Sequence, residues 1–234
     1  MWVFYVIAGL TMFFSWFVKH RLEKTYRKWG QVENAARISG VQTAHVLLKS
    51  NGLEQIHLMP VRGKLSDHYD PQNHVIRLSE PVYGVPSVAA MAIAAHEAGH
   101  AIQDKAGYRP FRTRTALAPL ASLGARFGMP AAVIGFAMGD PLYVQIGVLT
   151  HFGALLFQIV TLPVEFDASK RARQQLEELQ MVDDVDKQGV REMLRAAAMT
   201  YVAGVASSTG YLVFMVIFAG RWMFGRGRPV MPPA

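Results

Sequence analysis

The chain has 234 residues, 51% of them hydrophobic and 18% charged, which is the balance of a membrane protein rather than of a soluble domain. It has no cysteine, so disulfides, thiolate nucleophiles and cysteine-ligated zinc are excluded, and any metal must be held by histidine and carboxylate. The net charge of +7 lies beside apolar runs, as it does at the cytoplasmic flanks of membrane helices; no nucleic-acid-binding module accompanies it, and no nucleic-acid partner is expected.

Residues 2–18 are apolar apart from Thr11 and Ser15, and Lys19, His20, Arg21, Lys24, Arg27 and Lys28 follow. A cleavable signal peptide would carry its basic residues before the apolar core and a small-residue cleavage site after it. The reversed order predicts a transmembrane anchor over residues 1–20, with its N-terminus outside and its basic flank in the cytoplasm.

Residues 21–115 read as a globular domain. A short helix is expected over 43–50, closed by Asn51-Gly52. Strands follow over 56–61 and 75–79, separated by the turn-rich Asp67-His68-Tyr69-Asp70-Pro71. Pro86-Ser87 supplies the start of a helix through VAAMAIAAHEAGHAIQDKAG that Gly107 stops.

Apolar runs at 116–139 and 142–162 are separated only by Gly139-Asp140-Pro141, and each is near the ~20 residues that a bilayer requires. They predict a transmembrane hairpin over 116–164, in which Arg126 has to face protein or water or snorkel to an interface. From Glu165 the chain turns polar, and residues 165–198 are expected to continue the third apolar helix into the cytoplasm, with an acidic loop at 183–186. A last apolar run at 199–220 is long enough to span, and the basic tail 221–234 is expected to be disordered at its end. The predicted fold is a mainly α membrane protein of about four transmembrane helices with a small α+β cytoplasmic domain containing a short β-sheet.

The distribution of basic residues gives an independent check. Fourteen of the 24 Lys and Arg lie between the first and second apolar runs, six lie between the third and fourth, and none lies in the hairpin turn. Both charged segments therefore belong on one side of the membrane, the cytoplasmic one. Arg221, Arg226 and Arg228 would lie outside if the last run crosses completely.

His96-Glu97-Ala98-Gly99-His100 is an HExxH motif on a predicted helix. Residues i and i+4 share a helix face, so His96 and His100 can aim two imidazoles at one ion while Glu97 lies beside them as general base. Histidine and carboxylate ligation makes zinc the expected metal. Catalytic zinc takes three protein ligands and keeps one position open. Glu165 closes the third apolar helix on the same membrane face as His96, which makes it the candidate third ligand; the alternative is an ordinary interfacial helix residue. His68, Tyr69, Arg171 and Tyr201 are candidates for stabilising charge in the transition state. The segment VIRLSE before the active-site helix is either an edge strand that binds extended peptide or an inner strand with no substrate role.

AAHEAGHAIQ, SDHYDP followed by VIRLSE, LPVEFDAS and AAAMTYVA together resemble the YugP-type family of membrane-bound neutral zinc metallopeptidases, and the resemblance covers most of the chain. It implies a zincin-like cytoplasmic domain with a gluzincin-like site: His96, His100 and Glu165 as zinc ligands, Glu97 as base, and peptides or membrane-protein segments as substrates at the cytoplasmic face of a bacterial-type cell membrane. The family is similar in plan to HtpX-type and CAAX-prenyl-protease-type peptidases, which commonly place an Asp four residues after the Glu ligand. Here that position is Ser169, with Asp167 nearby, so the carboxylate that would orient a zinc-bound histidine departs from the pattern.

Two other functions fit parts of the sequence. A non-catalytic membrane scaffold or quality-control partner could keep a structural or vestigial zinc site, although a purely structural site has no use for Glu97. A transporter could line a pathway with Gln145, His151 and Gln158, although these residues also serve as packing groups between membrane helices.

Overall fold

The computed structural model describes residues 2–225, so Arg226 and Arg228 of the basic tail lie outside the described residues. Two units make up the fold. The first consists of Trp16–Arg114 and Thr161–Tyr201. The second is built from residues 2–15, 115–160 and 202–225. Four long helices contribute to both: α1 (Trp2–Trp29), α5 (Arg109–Met138), α6 (Pro141–Glu178) and α7 (Asp184–Gly225).

In the first unit, α2 (Gly40–Ser50) starts three residues before the expected helix because Ser39 and Gln42 form a reciprocal capping box. It ends at Asn51-Gly52, where Gly52 takes the positive φ of a helix stop. The sheet has the order β1-β3-β2: β1 (His57–Val61) runs parallel to β3 (Val75–Ser79), and β2 (His68–Asp70) runs antiparallel to it.

The segment read as a turn therefore carries a strand, and three contacts make it one. The Asp67 carboxylate accepts hydrogen bonds from the backbone N–H and the hydroxyl of Ser79, tying the start of β2 to the end of β3. Asp70 pairs with Arg77 across the two strands at 3.1 Å. The real turn lies one step further on, where Asp70 Oδ1 accepts the N–H groups of Gln72 and Asn73. The segment VIRLS is thus the inner strand, and β2 is an edge.

A single turn, α3 (Glu80–Gly84), with Pro81 in its first turn, connects the sheet to α4 (Val88–Lys105). Ser87 caps α4 as expected, its hydroxyl accepting from Ala90 N–H at 3.2 Å. This helix runs through the middle of the unit, with fourteen of its residues buried. Leu47 and Leu48 of α2, Ile76 and Leu78 of β3, Leu176 of α6 and Met193 of α7 pack around it. The small residues of α4 let neighbours come close: a Cβ on Gly99 would lie 2.7 Å from the Ala168 carbonyl oxygen of α6, a distance that only glycine permits.

In the second unit, α5 and α6 form the expected hairpin. Gly139 takes a positive φ at the turn, and Asp140 Oδ1 caps α6 by accepting from Leu142 N–H. α5 begins before the expected apolar boundary at 116 and passes through Pro119 and Pro130, and α6 passes through Pro163 into its polar half. The expected acidic loop is a helix start instead: Asp183 accepts from Asp186 N–H, and α7 continues from there through the last apolar run to Gly225, so the first residues of the expected tail are helical. α5, α6 and α7 are each long and apolar enough to cross a membrane. Large apolar side chains such as Leu120, Leu149 and Val216 stand exposed on them, a surface that water would disfavour. His151 Nε2 pairs with the Ser208 carbonyl oxygen at 3.0 Å, tying α6 to α7 within this unit.

Candidate metal centre

The site begins with helix periodicity. One turn of α4 separates His96 and His100, and their ring centroids lie 4.7 Å apart in an edge-to-face arrangement. The close approach at Gly99 brings the polar start of the α6 extension alongside, with Glu165 1% exposed. Glu165 Oε2 lies 3.2 Å from His96 Nε2, and Glu165 Oε1 lies 3.7 Å from His100 Nε2 and 3.6 Å from Arg114 Nη2. One ligand atom from each of His96, His100 and Glu165 falls within 4.8 Å of the other two, and this group could hold a metal ion.

The fit can be tested on the carboxylate itself. Glu165 Oε1 is buried and has no hydrogen-bond partner. The Arg114 guanidinium, 3.6 Å away, offsets its charge without a hydrogen bond to it, so a directly bound cation would still satisfy this oxygen. Two imidazoles and a carboxylate with no thiolate form the donor set of a zinc site that keeps a fourth position free.

The outer nitrogens of both imidazoles are also engaged. His96 Nδ1 lies 3.2 Å from Ser169 Oγ, and His100 Nδ1 lies 3.0 Å from Gln103 Oε1. With Nδ1–H donating to these oxygens, each ring turns an Nε2 lone pair toward Glu165. The Gln103 amide is fixed in turn, donating to the Val164 carbonyl oxygen and to Asp167 Oδ2, both at 2.8 Å. Arg171 closes this chain with a 2.6 Å bond to the same Asp167 oxygen.

Glu97 is buried one residue from His96, and burial pushes its carboxyl up to about 7. The nearby carboxylates of Glu165 and Asp67 push in the same direction, while His96 and the Tyr69 backbone N–H oppose them. A cavity of about 190 Å³ opens on His96 and Glu97. Its walls are Leu22, Leu65, Ile93, Met193, Leu194 and Ala197, and its polar atoms come from Asp67, Thr200 and Tyr201.

The sequence-predicted residues divide into two sets. His96, Glu97, His100, Glu165 and Tyr201 are brought together; Tyr201 has Glu165, Glu97 and Arg114 as its charged neighbours. His68 and the Tyr69 and Arg171 side chains are directed elsewhere. His68 is exposed on β2, with Nδ1 on the Ser66 carbonyl oxygen. The Tyr69 hydroxyl donates to Asp104 at 2.9 Å, although its backbone reaches Glu97. Arg171 serves Asp167 and lies over the Tyr108 ring. Asp167 reaches the site through Gln103 rather than by touching a histidine.

Sequence reasoning missed Gln103, Asp67 and Arg114. Gln103 carried a signal, being three residues after His100 on the same helix face. Asp67 and Arg114 carried none, because only the β2 register and the course of α5 bring them to the site.

Residues 4–220 match the protein family described as "Putative neutral zinc metallopeptidase". Among curated proteins, the chain is similar to the "Putative membrane protease YugP" of Bacillus subtilis (strain 168), with 35% identity over 219 residues, 93% of this chain and 96% of that protein. No solved structure matches.

Proposed function

The chain belongs to the "Putative neutral zinc metallopeptidase" family, and from that membership we propose that it is a membrane-embedded zinc endopeptidase with His96, His100 and Glu165 as ligands and Glu97 as general base. The observation that carries this reading is the convergence of the buried Glu165 carboxylate, whose Oε1 accepts no hydrogen bond, on two imidazole Nε2 atoms beside a cavity that Glu97 lines. A zinc ion held there supplies Lewis acidity, which makes water nucleophilic near neutral pH and polarises a scissile carbonyl.

The protein's own groups do the rest. Glu97 takes a proton from the attacking water and passes it to the departing amine, acting first as base and then as acid from its place beside the metal ligands. Ser169 and Gln103 hold the two imidazoles in the tautomer that leaves Nε2 free. Tyr201 is the transition-state donor in this reading, because it lines the cavity that opens on His96 and Glu97, which neither His68 nor Tyr69 does. The apolar cavity wall favours an apolar substrate side chain next to the bond that is cut.

In the membrane arrangement proposed here, residues 1–20 form the anchor, 116–164 the hairpin and 199–220 the fourth span, with residues 21–115 and 165–198 in the cytoplasm. The apolar length of α5, α6 and α7 supports this placement, as does the concentration of Lys and Arg in the two polar segments.

The test is elemental analysis of detergent-purified wild type, Glu165→Ala and Glu97→Gln, paired with cleavage of an unfolded reporter protein. About one zinc in wild type and in Glu97→Gln, cleavage by wild type alone and loss of zinc from Glu165→Ala are the expected results. Folded wild type that takes up no zinc when zinc is supplied overturns the peptidase reading.

A further inference from the structure

The candidate metal centre leaves a second group of polar residues in the same unit without a role. α1 contributes Arg21 and Thr25, and α7 contributes Arg191 and Arg195, to the wall of one cleft of about 220 Å³. Arg191 and Arg195 are one helical turn apart and so share a face. Among the described residues, none of the three guanidinium groups has an ion-pair partner. Glu192 also lines the cleft, but its carboxylate is already engaged: Oε2 accepts from Lys28 and Trp29, and Oε1 accepts from Gln188. The cleft is therefore lined by three exposed guanidinium groups without an ion-pair partner among the described residues, a local field that favours an anion.

The position of the cleft along its two helices is informative. Arg21 comes three residues after the apolar run 2–18, and Arg195 comes four residues before the apolar run 199–220. The cleft thus starts about one turn from the apolar segment on both helices, at Arg21 and Arg195, and reaches about two turns from it at Thr25 and Arg191, a span at which headgroups meet a membrane helix. Guanidinium forks bind phosphate oxygens in pairs, and Met199 adds an apolar side chain to the wall.

We propose that Arg21, Arg191 and Arg195 form a phosphate-binding site, filled by the headgroup of an anionic phospholipid. The phosphate site is independent of the peptidase reading, while its assignment to a lipid rests on the membrane placement proposed above.

The experiment titrates full-length protein in neutral detergent with dihexanoyl phosphatidylglycerol, dihexanoyl phosphatidylcholine and inorganic phosphate, using native mass spectrometry and calorimetry. Wild type is compared with Arg21→Gln, with Arg191→Gln/Arg195→Gln, and with Arg62→Gln/Lys64→Gln, which removes two exposed charges from the loop after β1. Saturable phosphatidylglycerol binding, tighter than that of phosphatidylcholine and weakened roughly tenfold or more in the cleft variants but not in the loop variant, is the expected result. The same pattern with inorganic phosphate supports the site and makes soluble phosphate its source. Phosphatidylglycerol binding that is no tighter than phosphatidylcholine binding, or that survives in cleft variants with unchanged melting temperature and zinc content, overturns the proposal. Zinc content is read separately, so wild type that binds lipid but takes up no zinc counts against the peptidase reading alone.

Discussion

Ser169 Oγ stands 3.2 Å from His96 Nδ1, on the turn of α6 that follows Glu165, so one helix supplies both the carboxylate facing His96 Nε2 and the hydroxyl behind its ring. In the proposed site this neutral hydroxyl is the group that would orient the His96 ring. Removing it with Ser169→Ala is expected to weaken zinc affinity about tenfold, the usual effect of losing the group that orients a metal-binding histidine. Ser169→Asp is expected to hold zinc at least as tightly as wild type, because an ionised acceptor strengthens the bond to Nδ1–H. Competition against a chromophoric chelator measures both, and unchanged affinity in Ser169→Ala would mean that the hydroxyl has no orienting role.

Gln103 does the same for His100, but with more at stake because it is fully buried and its amide makes three hydrogen bonds. Gln103→Leu leaves the Val164 carbonyl oxygen and Asp167 Oδ2 without that donor and frees the His100 ring. The expected cost is about 1–3 kcal/mol of stability together with a zinc affinity lowered about 10- to 100-fold. Asp167→Asn keeps an oxygen for Gln103 and loses the charge that Arg171 holds, so its effect on zinc is expected to be smaller than that of Gln103→Leu. Thermal unfolding with and without zinc separates the two losses.

These outer contacts are where sequence reading ran short, and the reasons are physical. His96, Glu97 and His100 were legible because helix periodicity alone puts them on one face, and Ser87 was legible as a cap because its chemistry is local. Glu165 could be reached only by assigning both ends of the membrane hairpin to one side. β2 was hidden because three residues are too few to show alternation, and its pairing depends on Asp67 meeting Ser79, twelve residues away. The boundaries expected at residues 116 and 199 followed changes of polarity. Backbone hydrogen bonding continues across such changes, so α5 and α7 run straight through them, as α6 was expected to do past Glu165.

Gly99 lies between the two histidines and sets how near α6 can come. The 2.7 Å from its would-be Cβ to the Ala168 carbonyl oxygen is a clash with backbone, which cannot turn aside as a side chain would. Gly99→Ala is expected to push the segment carrying Glu165 away from His96 and His100, costing about 1–3 kcal/mol and most of the zinc affinity. Gly84→Ala provides a control in the same unit, since a Cβ there meets nothing within 4 Å. Equal zinc content in Gly99→Ala and wild type would show that α6 can adjust without losing the site.

Glu97 gives the metal-free protein a pH dependence whose sign can be worked out. Burial raises its carboxyl from the ordinary 4.5 to about 7 in the folded state. Between those values the native state holds a proton that the unfolded chain has released, so stability falls as pH rises through this window. The full shift corresponds to about 3 kcal/mol at most, present as a penalty above pH 7 and absent below pH 4.5. Glu97→Gln cannot ionise, so the stripped variant is expected to be more stable than stripped wild type at pH 7.5 and nearly equal to it at pH 5. Zinc favours the ionised carboxylate through its own charge, so loading wild type with metal is expected to shrink the difference. Thermal unfolding of both proteins at the two pH values, with chelator and with zinc, measures the effect. A metal-free difference that is the same at pH 5 and pH 7.5 would show that Glu97 keeps one protonation state across the window.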